Sequence, residues 1–193
     1  MAKKKKKGSS IVKTTLIFVI LAAMIVGFYY YLSMRDAKES EDDVTVTKSQ
    51  QVLMRNLETS YPPSPKEVVK YYCDITQCFY NESHTEAEVE ALAMQIRKLY
   101  DAELAENQTE EEYLQQVKLE VLSMASNGIT ITSYGLPSST DVKYFSNEGY
   151  EWARLYCTLN MRQETKILNS VEQFLLRKDE DGRWKIYGWE LAE

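Results

Sequence analysis

The chain has 193 residues, is 44% hydrophobic and 27% charged, and carries a formal net charge of −6. That length fits one domain with an appendage; seven Gly and four Pro exclude collagen-like or low-complexity architecture, and three Cys are too few for a disulfide scaffold. Residues 1–35 hold seven Lys/Arg and no acid, whereas the remainder has a surplus of thirteen negative charges, which argues against nucleic acid as a partner.

The basic block Lys3–Lys7 precedes an uncharged run from Thr14 to Leu32. As a helix, nineteen residues span about 28 Å, close to the ~30 Å hydrocarbon core of a bilayer. The bulky exit Phe28-Tyr29-Tyr30-Tyr31-Leu32 argues against signal-peptide cleavage. The reading is a single-pass signal anchor in the cell membrane. Residues 1–13 form a cytoplasmic tail, 14–32 a transmembrane helix, 33–60 an acidic linker with a short helix, and 61–193 an extracytoplasmic domain. The bilayer is thus an expected partner through residues 14–32.

Beyond Tyr61-Pro62-Pro63-Ser64-Pro65, three helices each carry a start signal. Ser64-Pro65-Lys66-Glu67, Thr85-Glu86-Ala87-Glu88 and Thr109-Glu110-Glu111-Glu112 have capping-box spacing, in which a hydroxyl and a Glu each satisfy an orphan backbone N–H. Apolar residues follow at helical spacing: Val68 to Tyr80, then Val89 through Tyr100 to Leu104, then Tyr113 to Ala125. Asn127-Gly128 closes the third helix.

From Ile129 the period changes to two. Ile129–Tyr134 reads as a strand, interrupted at Leu136-Pro137 and resumed near Asp141–Phe145. Tyr150–Arg162 has Ala153, Leu155, Cys157, Leu159 and Met161 on one face, and Tyr150, Trp152, Arg154, Tyr156 and Thr158 on the other. Val171–Lys178 and Trp184–Leu191 are joined by the hairpin signal Asp179-Glu180-Asp181-Gly182. The order is an α+β domain: three helices packed on a curved four-stranded antiparallel sheet.

The Asp181–Gly188 stretch (DGRWKIYG) resembles the last strand of the nuclear transport factor 2-like superfamily, which includes the SnoaL-like and ketosteroid-isomerase-like proteins. Tyr61–Pro65, Leu99–Leu104, Gly149–Arg154 and Trp184–Leu191 are similar to a family of single-span Gram-positive bacterial proteins. The resemblance implies a cone-shaped domain over residues 64–193. Its superfamily hosts enzymes, binding modules and assembly proteins, so the fold does not choose among them.

Enzymes of that superfamily move protons in the cone pocket, which makes Tyr72, Tyr100, Asp101, Glu151 and Glu172 pocket candidates. Two of them have an ordinary structural alternative: Asp101 can pair with Arg97 one turn back, and Glu151 sits at a strand end. No residue matches a catalytic motif, and no cofactor or metal is expected; His84, the only histidine, precedes a helix at an exposed position. Cys73, Cys78 and Cys157 read as buried small hydrophobes, with a Cys73–Cys157 bridge as the alternative. Tyr150, Trp152, Arg154, Tyr156, Tyr187 and Trp189 are interface candidates, with Tyr187 and Trp189 sharing one face of the last strand; core filling and cross-strand pairing are the alternative.

Three functions remain. The favoured one is a non-enzymatic module displayed outside the cell, binding an envelope protein or a small apolar ligand, with homodimerisation through the sheet face. The second is a scaffold subunit of an envelope-spanning secretion or conjugation assembly. The third is a tethered isomerase- or cyclase-like enzyme, favoured by a deep pocket with a buried carboxylate of raised pKa.

Overall fold

The helix starts are set by side-chain caps. In the computed structural model, which describes residues 46–192, Thr47, Thr85 and Thr109 each form a complete capping box, with Gln50, Glu88 and Glu112 respectively. Ser64 caps the Glu67 amide, but Glu67 lies near Lys70 and does not return the bond, so this box is only half made. The helices that follow are α1 (Lys48–Leu53), α2 (Pro65–Asn81), α3 (Glu86–Arg97), α4 (Ala102–Glu106) and α5 (Glu110–Ser126). The strands are β1 (Ile129–Gly135), β2 (Lys143–Asn147), β3 (Tyr150–Gln163), β4 (Lys166–Lys178) and β5 (Trp184–Leu191), with a 3-10 turn at Ser139–Asp141.

All strands join one antiparallel sheet. β1 and β2 lie end to end along the same edge of β3, β1 pairing residues 158–163 and β2 residues 150–154. The Leu136-Pro137 interruption is therefore a gap in a shared edge. β3 and β4 form a long hairpin, and β4 pairs β5. Glu148 and Gly149 both take positive φ, 52° and 84°, as a tight hairpin turn requires. The core lies between the sheet and α2–α3, where Ile75, Leu92, Leu155, Phe174, Leu176 and Ile186 are essentially solvent-free. Along the expected inner face of β3, Ala153, Leu155, Cys157 and Leu159 are buried and Met161 is half-buried, while Trp152 of the opposite face is buried too.

Several expectations are corrected. Among the described residues there are five helices and five strands, not three and four. No helix among them is long and apolar enough to cross a membrane, and the span expected over 14–32 lies outside the described residues. Among the described residues the architecture is an α+β unit, and they include no transmembrane helix of the expected single-pass, signal-anchor kind. The compact unit begins at Val46, ahead of the Tyr61 boundary. β4 starts at Lys166 because the long β3 continues pairing as far as Gln163↔Lys166.

The second helix does not run on to Leu104. It ends at Arg97, and Leu99–Asp101 extends beside β5: the Ile186 amide donates to the Leu99 carbonyl and the Asp101 amide to the Ile186 carbonyl, both at 2.8 Å. Pairing at the sheet edge outcompetes helix continuation here, and it covers the β5 edge at Ile186. A β-bulge is the other departure. Leu175 pairs Gly188 and Leu176 pairs Ile186, so Tyr187 is an extra residue.

All three cysteines are buried free thiols. Cys73 Sγ on α2 lies 3.4 Å from Cys157 Sγ on β3, a thiol–thiol hydrogen bond rather than a disulfide. That contact and burial push the Cys73 thiol pKa well up, which keeps it unreactive.

Candidate functional site

The helices do not close over the whole sheet. On α5 only Tyr113 is buried. Its inner stripe, Tyr113, Gln116, Val117, Glu120 and Val121, recurs at i, i+3, i+4, i+7 and i+8 and faces open space. A cavity of about 480 Å³ lies behind it, bounded by α2, α3, α4, α5 and the sheet, which contributes Leu159 of β3, Glu172 at the middle of β4 and Trp189 near the end of β5. Its walls are mainly apolar and aromatic: Phe79, Ile96, Leu104, Leu159 and Trp189 join the α5 stripe, and Tyr72, Tyr80, Tyr100 and Tyr113 bring hydroxyl groups.

Two departures from the expected structure build this site. The break after Arg97 sends adjacent residues to opposite sides: Tyr100 lines the cavity, while Asp101 leaves it to cap α4. The Tyr187 bulge shifts the parity of β5, so Trp189 pairs Phe174 on the helix-facing side and stacks on it at 6.1 Å. Tyr187 stays on the opposite face. The expectation that Tyr187 and Trp189 share a face fails for that reason.

Tyr72, Tyr100 and Glu172 are thus brought together in the cavity. Trp189 lies 5.6 Å from Tyr72 and 5.7 Å from Tyr100, ring to ring, and Phe174 backs the group. Burial, and after it the like charge of Glu120, holds the Glu172 carboxyl above its usual pKa. Burial pushes the Tyr113 phenol up to about 12. Tyr80 donates to Glu120 at 2.8 Å. Arg97, the cation of the lining, donates to the Ala105 and Gln108 carbonyls at 2.9 and 3.0 Å and stacks on Tyr113. It holds the α4–α5 connection and does not pair with Asp101.

Asp101 and Glu151 lie elsewhere. Asp101 is 3% exposed on the far side of β5, joined to Arg177. Glu151 is an exposed strand-end residue paired with Lys178 at 2.7 Å. Among the interface candidates, Tyr150, Arg154 and Tyr156 are exposed. Trp152 is buried against Phe145 and Tyr187, and its indole N–H donates to the Asn147 carbonyl. Half-buried His84 contacts the Cys78 carbonyl through Nε2 at 2.8 Å and closes α2. Among the described residues no cluster of His, Cys, Asp or Glu is placed to hold a metal. Sequence reasoning missed Glu120; the i, i+3, i+4 spacing from Tyr113 places it on the cavity stripe.

The Glu172 shift fixes the sign of a stability effect. A carboxyl whose folded pKa is raised costs nothing below its unfolded pKa, and its ionisation opposes folding as pH rises through the folded value. Glu172→Gln is therefore expected to melt with the parent near pH 4 and above it at pH 8. A variant melting below the parent at pH 8 contradicts the unfavourable burial of this charge.

The family described as "Domain of unknown function (DUF6715)" matches residues 1–189. Comparison with curated proteins finds no match.

Proposed function

The chain belongs to the DUF6715 family, and from its cavity we propose that its folded unit is a non-catalytic module that binds a small, mostly apolar ligand between the helices and the sheet. The cavity's size and lining carry this reading. About 480 Å³, with aromatic and aliphatic walls interspersed with tyrosine hydroxyls and polar side chains such as Thr76, Gln116, Glu120 and Glu172, lies in the size range of small-molecule sites. The order of helices followed by an antiparallel meander supports placing it with cone-shaped nuclear transport factor 2-like domains. A second reading rests on Glu172: a carboxyl of raised pKa in such a cavity suits proton transfer, as in an isomerase or cyclase.

The test uses the full chain and N-phenyl-1-naphthylamine, a neutral dye that brightens in apolar surroundings. Saturable 1:1 binding is expected, weakened at least about tenfold by Val117→Trp, which fills the cavity from α5. Circular dichroism checks that the variant stays folded. Equal binding by a folded Val117→Trp chain sinks the reading.

A further inference from the structure

We propose that the ligand is an organic cation, with an ammonium group held between Glu172 and the rings of Tyr72, Tyr100 and Trp189 and an apolar body filling the rest of the cavity. This rests on the binding function above and specifies its ligand class.

The first support is charge. Glu172 is half-buried on the helix-facing side of β4 and forms no ion pair or hydrogen bond among the described residues. The other carboxylate of the lining, the exposed Glu120, accepts the Tyr80 hydroxyl and has no basic partner among the described residues. Arg97 is the cation of this wall, but its guanidinium is engaged by carbonyls of the α4–α5 connection and the Tyr113 face. The cavity thus has uncompensated negative charge, which attracts a cation and repels an anion.

The second support is independent of charge counting. Glu172 pairs Leu191, and Trp189 is two residues back on the same face of β5, so the carboxylate and the indole are diagonal cross-strand neighbours. Tyr72 packs against that indole from α2 and Tyr100 from the edge segment. Three π systems beside one carboxylate offer the two elements that recognise alkylammonium groups: negative ring faces and a counter-charge. A neutral ligand would leave Glu172 desolvated for no gain. An ammonium group offsets that cost and draws Glu172 to its ionised form.

The experiment titrates the full chain with three probes sharing one body: 4-phenylbutylamine, 4-phenylbutan-1-ol and 4-phenylbutanoate. Calorimetry is expected to show the amine at least about tenfold tighter than the alcohol, with the butanoate weakest. Glu172→Gln should erase the amine's advantage over the alcohol, with the amine's affinity falling at least about tenfold. Alcohol binding as tight as amine overturns the cation assignment and leaves the cavity reading intact. An amine advantage that survives Glu172→Gln overturns the role of that carboxylate. Failure of all three probes to bind overturns both readings.

Discussion

Arg177→Met is expected to destabilise the folded unit by about 3–5 kcal/mol, the range for removing one partner of a buried ion pair. At the usual scaling for a chain of this size, the melting temperature falls by roughly 10 °C. Arg177 reaches over β5 to Asp101, with Nε–Oδ2 at 3.0 Å and Nη2–Oδ1 at 2.5 Å. A third N–H group donates to Glu103 at 2.7 Å, and Tyr187 donates to the same carboxylate. The guanidinium lies over the rings of Tyr150, Trp152 and Tyr187 at 4.7, 5.6 and 5.0 Å. Its side chain is only 12% exposed and that of Asp101 5%, so screening by water is weak. Met replaces much of the packing but strands the Asp101 carboxylate. Asp101→Asn in the same chain should recover part of the loss, because the stranded group is then neutral. A single-variant loss below about 1 kcal/mol would place the pair with surface ion pairs.

Phe174→Ala is the second large effect, about 3–5 kcal/mol. Phe174 is fully buried, paired across the sheet with Leu155 and Trp189, and edge-on to Tyr72 at 5.3 Å. Its ring backs Tyr72 and Trp189, which line the cavity. Truncation removes transfer energy and opens a void beside one that already exists. Val117→Ala, on the facing wall, is expected to cost under about 1 kcal/mol, since that side chain already borders open space. Chemical denaturation of the two variants measures the contrast. Equal losses would mean that α5 packs tightly on the sheet and that the cavity closes in solution.

Both effects turn on partners far apart in sequence. Arg177 and Asp101 are separated by 76 positions, and local spacing pointed to Arg97 instead. Tyr72 and Trp189 were visible as aromatics, but no sequence period places them in one wall. Of the five pocket candidates, Tyr72, Tyr100 and Glu172 line the cavity. Asp101 and Glu151 are held by basic side chains on other surfaces.

By itself the sequence determined what depends on a few neighbouring residues: the Thr85 and Thr109 caps, the alternation along β3, and the turns at Gly149 and Gly182. These are local because a hydroxyl capping an amide three residues on, or a glycine at positive φ, needs no distant partner. Tertiary structure alone decided that the chain after Arg97 leaves the helix to pair with Ile186, and that Tyr187 bulges so that Trp189 turns toward α2. Each outcome depends on which distant backbone groups are free to bond. In a sheet whose side chains alternate by single residues, one extra position sends every later side chain to the other face.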